Sequence, residues 1–266
     1  MSDKKRVKLS KISLLHYYKL AFRSLFFLTA LVIYIVGRVN SSPDSFGGFE
    51  DSPVVLGVIG FLFLIEMLIR FFPSPVESMG CQKQFKKNYK EREGEMPRRF
   101  DKTVLFVALA WIALNSVFAV LYYTGVIDAG ILVLISLAYS VCDMICILFF
   151  CPFQTWFMKN KCCGSCRIYN WDYAMMFTPL IFVPNILARG LFAVGFLLLL
   201  VWETVAFIHP ERFSPATNEC LSCANCEEKL CHHKKQLRRF LKKNKHLLLL
   251  KGNAIIEKAK KKINKK

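Results

Sequence analysis

The chain has 266 residues, 54% of them hydrophobic, with a mean hydropathy of +0.35 and a formal net charge of +18. Apolar residues at that density, gathered into long blocks, exclude an ordinary water-soluble domain and imply an all-α, polytopic integral membrane helix bundle. The positive residues flank the apolar blocks, so orientation in a bilayer and attraction to anionic lipid account for them; no aromatic interleaving or known module points to nucleic acid.

Residues 1–19 form a basic N-terminal segment. The first predicted span covers 20–37, which is long for the apolar part of a cleaved signal peptide and is read as an anchor. A turn-rich loop, NSSPDSFGGFEDS, leads to a second span over 53–72. The stretch 73–103 is polar, with eight Lys/Arg against five acids. A third span over 104–123 and a fourth over 131–150 are joined by TGVIDAG, a tight turn with no basic residue. The loop 152–172 is cysteine-rich and basic. The excess of Lys and Arg places the N-terminus and the 73–103 and 152–172 loops in the cytoplasm.

The largely apolar stretch of 36 residues from Tyr173 to Ile208 is long for one span and short for two. Pro179 and Pro184 interrupt them. A short fifth span over 173–184, an external turn at 185–190 and a sixth span over 191–208 return the C-terminus to the cytoplasm. The alternative is five spans and a re-entrant segment, a break tolerated at membrane depth only where protein or a watery cavity satisfies the backbone. Six spans in a cell membrane, with both termini cytoplasmic, are expected. A cysteine-rich segment (209–233) and a basic tail (234–266) follow. The tail has fourteen Lys/Arg and one acid, Glu257, and suits an amphipathic helix on an anionic leaflet.

Eight of the eleven cysteines form two groups, each directly after a span. The first is Cys151, Cys162, Cys163 and Cys166. The second is Cys220, Cys223, Cys226 and Cys231. A reducing compartment keeps thiols free, so clustered thiols there are read as metal ligands before disulfides. The second group, ECLSCANCEEKLCHH, is spaced C-x2-C-x2-C-x4-C. Three thiols at repeated spacing wrap something larger than one ion, which favours an iron–sulfur cluster over zinc. The string resembles the ferredoxin cluster-binding pattern, except that the last gap is four rather than three and no Pro follows Cys231. His232 and His233 keep zinc open as the alternative. In the first group Lys159, Lys161 and Arg167 favour the thiolate. One site per group, or one zinc shared between the groups, satisfies the count.

Acids within spans suggest function by default. Glu66, Asp143 and Glu203 lie at a similar depth, roughly 8–12 Å from the cytoplasmic ends of their spans at 1.5 Å per residue. Arg23 lies slightly shallower on the same side. They imply a polar site inside the membrane above the cysteine loops, or ion pairs that fix helix packing. No phosphate loop, dinucleotide fingerprint, HExxH or nucleophile elbow is present.

Three functions follow from these residues. The first is a membrane protein with cytoplasmic metal centres that transfers electrons to a redox partner protein. The second is a zinc-stabilised scaffold whose basic tail docks lipid or a partner. The third is a small transporter that uses the intramembrane acids.

Overall fold

The computed structural model describes residues 11–39, 53–73, 82–99, 101–158, 165–222 and the positions 224, 231, 234, 235 and 239. Among the described residues every regular element is helical, and the single β contact is an isolated bridge between Glu91 and Asn218. The principal helices are α1 (Lys11–Val39), α2 (Pro53–Ile69), α3 (Lys102–Tyr123), α4 (Ala129–Leu148), α5 (Asp172–Phe177) and α6 (Ile186–Ile208). Four helices, Ser13–Val39 within α1, α3, α4 and α6, are long and apolar enough to cross a membrane. The 17 residues of α2 rise about 25 Å, short of the roughly 30 Å hydrocarbon core.

Local chemistry sets the helix ends. The Asp101 carboxylate accepts the Thr103 N–H at 2.9 Å and starts α3. The Asp128 carboxylate accepts the Ile131 N–H at 2.8 Å and starts α4. Between them α3 ends in a Schellman turn. The Val126 N–H reaches back to the Leu121 carbonyl and Gly125 N–H to Tyr122, while Gly125 takes a φ of 75° that a side chain would disfavour. The TGVIDAG loop is therefore a tight hairpin with an acid poised over its second helix.

That acid also fixes the neighbour. Tyr34 donates to Asp128 at 3.0 Å and Arg38 pairs with it, which aligns the end of α1 with the start of α4. The two helices run antiparallel. α4 is the most enclosed of the four long helices, with half of its apolar window buried against 17–22% for the others. The core collects Met67, Leu132, Tyr173, Met176, Leu198 and Trp202. Leu105, Ile112, Val120, Leu197 and Phe207 remain exposed, as a lipid-facing belt requires.

The predicted fifth span is corrected in form. Residues 173–184 are not one helix: α5 has six residues, and Thr178–Phe182 continues as a 3-10 turn around Pro179. Together they rise about 19 Å. The segment starts beside α2, where Asp172 meets Arg70, and ends with Phe182 against Tyr123 at the far end of α3. The turn expected at 185–190 is also shorter. Asn185 caps α6 through the N–H groups of Leu187 and Ala188, so the helix starts at Ile186 and Arg189 lies in its first turn. Helix α1 likewise begins nine residues before the predicted span, and α4 begins and ends two residues early.

The polar segments gather at one end of the bundle. The Glu219 N–H bonds the Lys90 carbonyl at 2.9 Å, and the Arg92 N–H the Thr217 carbonyl at 3.0 Å. Fully buried Asn218 donates to the carbonyls of Lys83 and Arg212. Buried Asn170 donates to Gln84 at 2.8 Å, and Arg167 to the Arg99 carbonyl at 2.7 Å. Segment 82–99 is thus clamped between the residues that follow α6 and those that precede α5.

Gly195 of α6 sits on the backbone of α5, where an added Cβ would lie 3.1 Å from the Tyr173 carbonyl. Gly195→Val is expected to destabilise the protein by about 1–3 kcal/mol, the range for overpacking. Thermal unfolding in detergent reads this, and an unchanged midpoint contradicts the close approach.

Candidate functional site

Two features occupy the polar half of the bundle. The first is a buried charge network. Arg23 of α1, 5% exposed, pairs with Glu66 of α2 at 2.7 Å and with Asp143 of α4 at 3.3 Å. It also donates to the Ser140 carbonyl at 3.2 Å and lies over the Phe63 ring. Lys19, one turn before Arg23, reaches the other Glu66 oxygen at 3.1 Å. The Tyr173 hydroxyl donates to Glu66 at 3.0 Å, and the Tyr173 ring lies under the Arg70 guanidinium, which pairs with Asp172 at 2.6 Å. Three cations and three acids therefore join four helices, α1, α2, α4 and α5, with balanced formal charge. In a bilayer such balance is what lets charges stay.

Of the predicted intramembrane set, Arg23, Glu66 and Asp143 meet. Glu203 does not join them: it accepts from Arg167 at 2.7 Å and from the Trp171 indole at 2.8 Å, tying α6 to the loop before α5. The sequence reading left out Lys19, Asp172 and Tyr173 as partners. Lys19 four residues before Arg23 was the available signal, since one helical turn stacks the two.

The second feature is a cavity of about 130 Å³ beside the end of α4. Cys142, Cys146, Cys151 and Cys166 all line it, with Asp143 and Asp172 at its wall. Trp111, Tyr139, Phe153 and Met176 supply the apolar lining. Trp111 packs on Tyr139 with ring centroids 4.7 Å apart. The chain leaves α4 at Leu148 and re-enters a π-helical turn at Phe153–Phe157, which brings Cys151 back toward Cys146. The two thiols are neighbours in the lining, with Cys146 placed to donate to Cys151. That donor, with help from the Gln154 N–H at 3.4 Å and the Lys234 ammonium, holds the Cys151 pKa below that of an ordinary thiol despite burial.

The predicted metal ligands divide. Cys162, Cys163, Cys223 and Cys226 lie outside the described residues, as do Cys81 and residues 240–266 of the basic tail. Cys166 is buried at the entry to the 3-10 turn Arg167–Trp171. Cys220 is half-buried, its N–H held by Asn218, and Cys231 is half-buried three residues before Lys234. Lys234 donates to the Cys146 carbonyl at 2.7 Å, so the second cysteine group ends beside the cavity of the first. Among the described residues no three His, Cys, Asp or Glu side chains are grouped to hold a metal, and none of the six described cysteines is in a disulfide.

The spans, the intramembrane ion pairs and the lipid-facing belt are the make-up of a multi-pass helical membrane protein. Comparison of the chain with protein families, with curated proteins and with solved structures returns no match.

Arg23→Leu leaves Glu66 and Asp143 facing each other without their shared cation. A loss of about 3–5 kcal/mol is expected, with partial recovery in Arg23→Leu/Glu66→Gln. Unfolding titrated with denaturing detergent measures both, and an unaffected single variant would show that the network carries no stability.

The Cys151 thiolate forms at a lower pH than an ordinary thiolate and is lost as pH falls through its depressed pKa. Alkylation of Cys151 by a maleimide should therefore have its midpoint below that of an ordinary thiol. Cys146→Ala removes the main hydrogen bond and should move that midpoint upward. Mass spectrometry of the alkylated peptide follows both, and an ordinary midpoint in the wild type would refute the contact.

Proposed function

We propose that the chain is a redox protein of the cell membrane, with six passes and with its cysteine-bearing end in the cytoplasm. The second cysteine group, Cys220, Cys223, Cys226 and Cys231, holds a metal centre, an iron–sulfur cluster in preference to zinc. Cys162, Cys163 and Cys166 furnish further thiolates. Electrons pass between this centre and a redox partner protein at the membrane surface, and the basic tail rests on anionic lipid.

One observation carries this reading: the segments around the two cysteine groups lie at one end of the bundle, where Arg167 and Asn170 on one side and residues 217–219 on the other all bond segment 82–99, and Lys234 bonds the Cys146 carbonyl. Six passes are supported by the path of α5 and its 3-10 turn, which lead away from that end before α6 returns to it. Cys151 is engaged with Cys146 and is left out of the ligand set.

Zinc in the same thiolates would make the centre a structural clasp between these segments. Charge pairing argues against a transporter, because each of Glu66, Asp143 and Glu203 is held by an arginine.

Protein purified without oxygen is expected to contain iron with matching sulfide and to absorb broadly near ~400 nm. Replacing Cys220, Cys223 and Cys226 together by Ser should remove both. Zinc alone would select the clasp, and metal-free protein would overturn the metal centre altogether.

A further inference from the structure

The cavity at the end of α4 combines three properties. Its wall is aromatic: Trp111 packs on Tyr139, and Phe153 lies edge-on to Trp111 at 6.4 Å. Its lining contains one unsatisfied donor. The Tyr139 hydroxyl is buried and has no hydrogen-bond partner among the described residues. A buried polar group in that state costs about 1–3 kcal/mol, which an acceptor on a ligand would relieve. Finally, two neighbouring free thiols line the cavity, Cys146 and Cys151. Together they can give up two electrons and two protons as they close a disulfide.

The space also limits the ligand. At about 130 Å³ the cavity is close to the roughly 150 Å³ that is known to admit a benzene ring. Tyr139 lies nine residues before the end of α4, so the cavity reaches roughly 14 Å into the bundle. A matching ligand is flat, ring-sized, apolar, able to accept a hydrogen bond, and reducible by two electrons. A molecule dissolved in the bilayer core reaches that depth without crossing water.

We propose that this cavity binds the ring of a lipid-soluble quinone, and that the Cys146–Cys151 dithiol reduces it. Cys146 and Cys151 give up their thiol protons, the Cys151 proton by way of water where that thiol is already ionised, and one S–S bond forms. The two electrons and two protons released convert both quinone carbonyls to the hydroxyls of a hydroquinone. Tyr139 donates its hydrogen bond to one carbonyl oxygen. Thiol–disulfide exchange with an external dithiol restores the pair. The metal centre takes no part in this step, so the inference goes beyond that centre and does not depend on it.

The test uses the full-length protein in lipid nanodiscs, reduced with a phosphine that is then removed, and kept without oxygen. The oxidant is a benzoquinone with every ring position substituted and a decyl chain, which cannot retain a thiol by addition to a ring C–H. The expected result is one hydroquinone formed and two thiols lost per chain, with peptide mass spectrometry placing the new disulfide between Cys146 and Cys151. Cys146→Ser/Cys151→Ser should abolish this oxidation. Tyr139→Phe should raise the quinone concentration for half-maximal rate about fivefold, the effect of one lost hydrogen bond, while leaving reaction with a small water-soluble disulfide as it was. Quinone reduction that persists in the double variant overturns the proposal, as does a wild-type protein that forms no Cys146–Cys151 disulfide. Should the double variant fail to fold, the disulfide mapping in the wild type decides alone. Metal analysis of the same preparation reads the metal centre separately.

Discussion

Everything in the polar half of this bundle depends on one guanidinium placed where water is scarce. Arg23 lies within an apolar helix and is almost wholly buried, so it must carry its counter-charges with it. It draws Glu66 from α2 and Asp143 from α4, and so fixes the height of three helices against one another. Lipid tails are as apolar as leucine and give helices little reason to prefer one register. Polar pairs supply that preference. Glu66 extends it to α5 through Tyr173, and Arg70 with Asp172 repeats the device at the next level.

The thiol cavity inherits its shape from this network. Asp143 is both a partner of Arg23 and part of the cavity wall, one residue from Cys142 and three from Cys146. The same ion pairs that align α1, α2 and α4 therefore hold the end of α4 in place, and with it the turn that returns Cys151. Below the cavity, Asn170, Gln84 and Asn218 are buried and lock the polar segments together by side-chain amides. The cysteine-bearing segments are consequently attached to a rigid frame at both sides.

Much of the architecture was legible because membrane helices announce themselves by length. The blocks that became α1, α3 and α4 are uninterrupted and apolar, and only their ends shifted. For α3 and α4 the shifts have local causes: Asp101 and Asp128 act as caps, and a cap is hard to tell from a loop residue before its helix is seen. The stretch around Pro179 and Pro184 was read as broken, and it is, as a six-residue helix followed by a 3-10 turn with Pro179 at its start, a division that hydropathy does not display. The meeting of Arg23, Glu66 and Asp143 was readable from depth alone. The separation of Glu203 was not, because depth says nothing about which way a helix faces. Nor was the pairing of Cys151 with Cys146, since their spacing of five residues matches neither a helical turn nor a metal-ligand motif, and contact needs the break after Leu148.

The charge network also has a consequence in time. Arg23 leaves the ribosome 43 residues ahead of Glu66 and 120 ahead of Asp143. At about 5–20 residues per second, several seconds of synthesis separate the cation from its first acid. During that interval α1 holds a charge with no internal partner, and a long side chain in that state snorkels toward the headgroups. The network can close only after α2 has been made, so the cation waits for its counter-charges rather than the reverse.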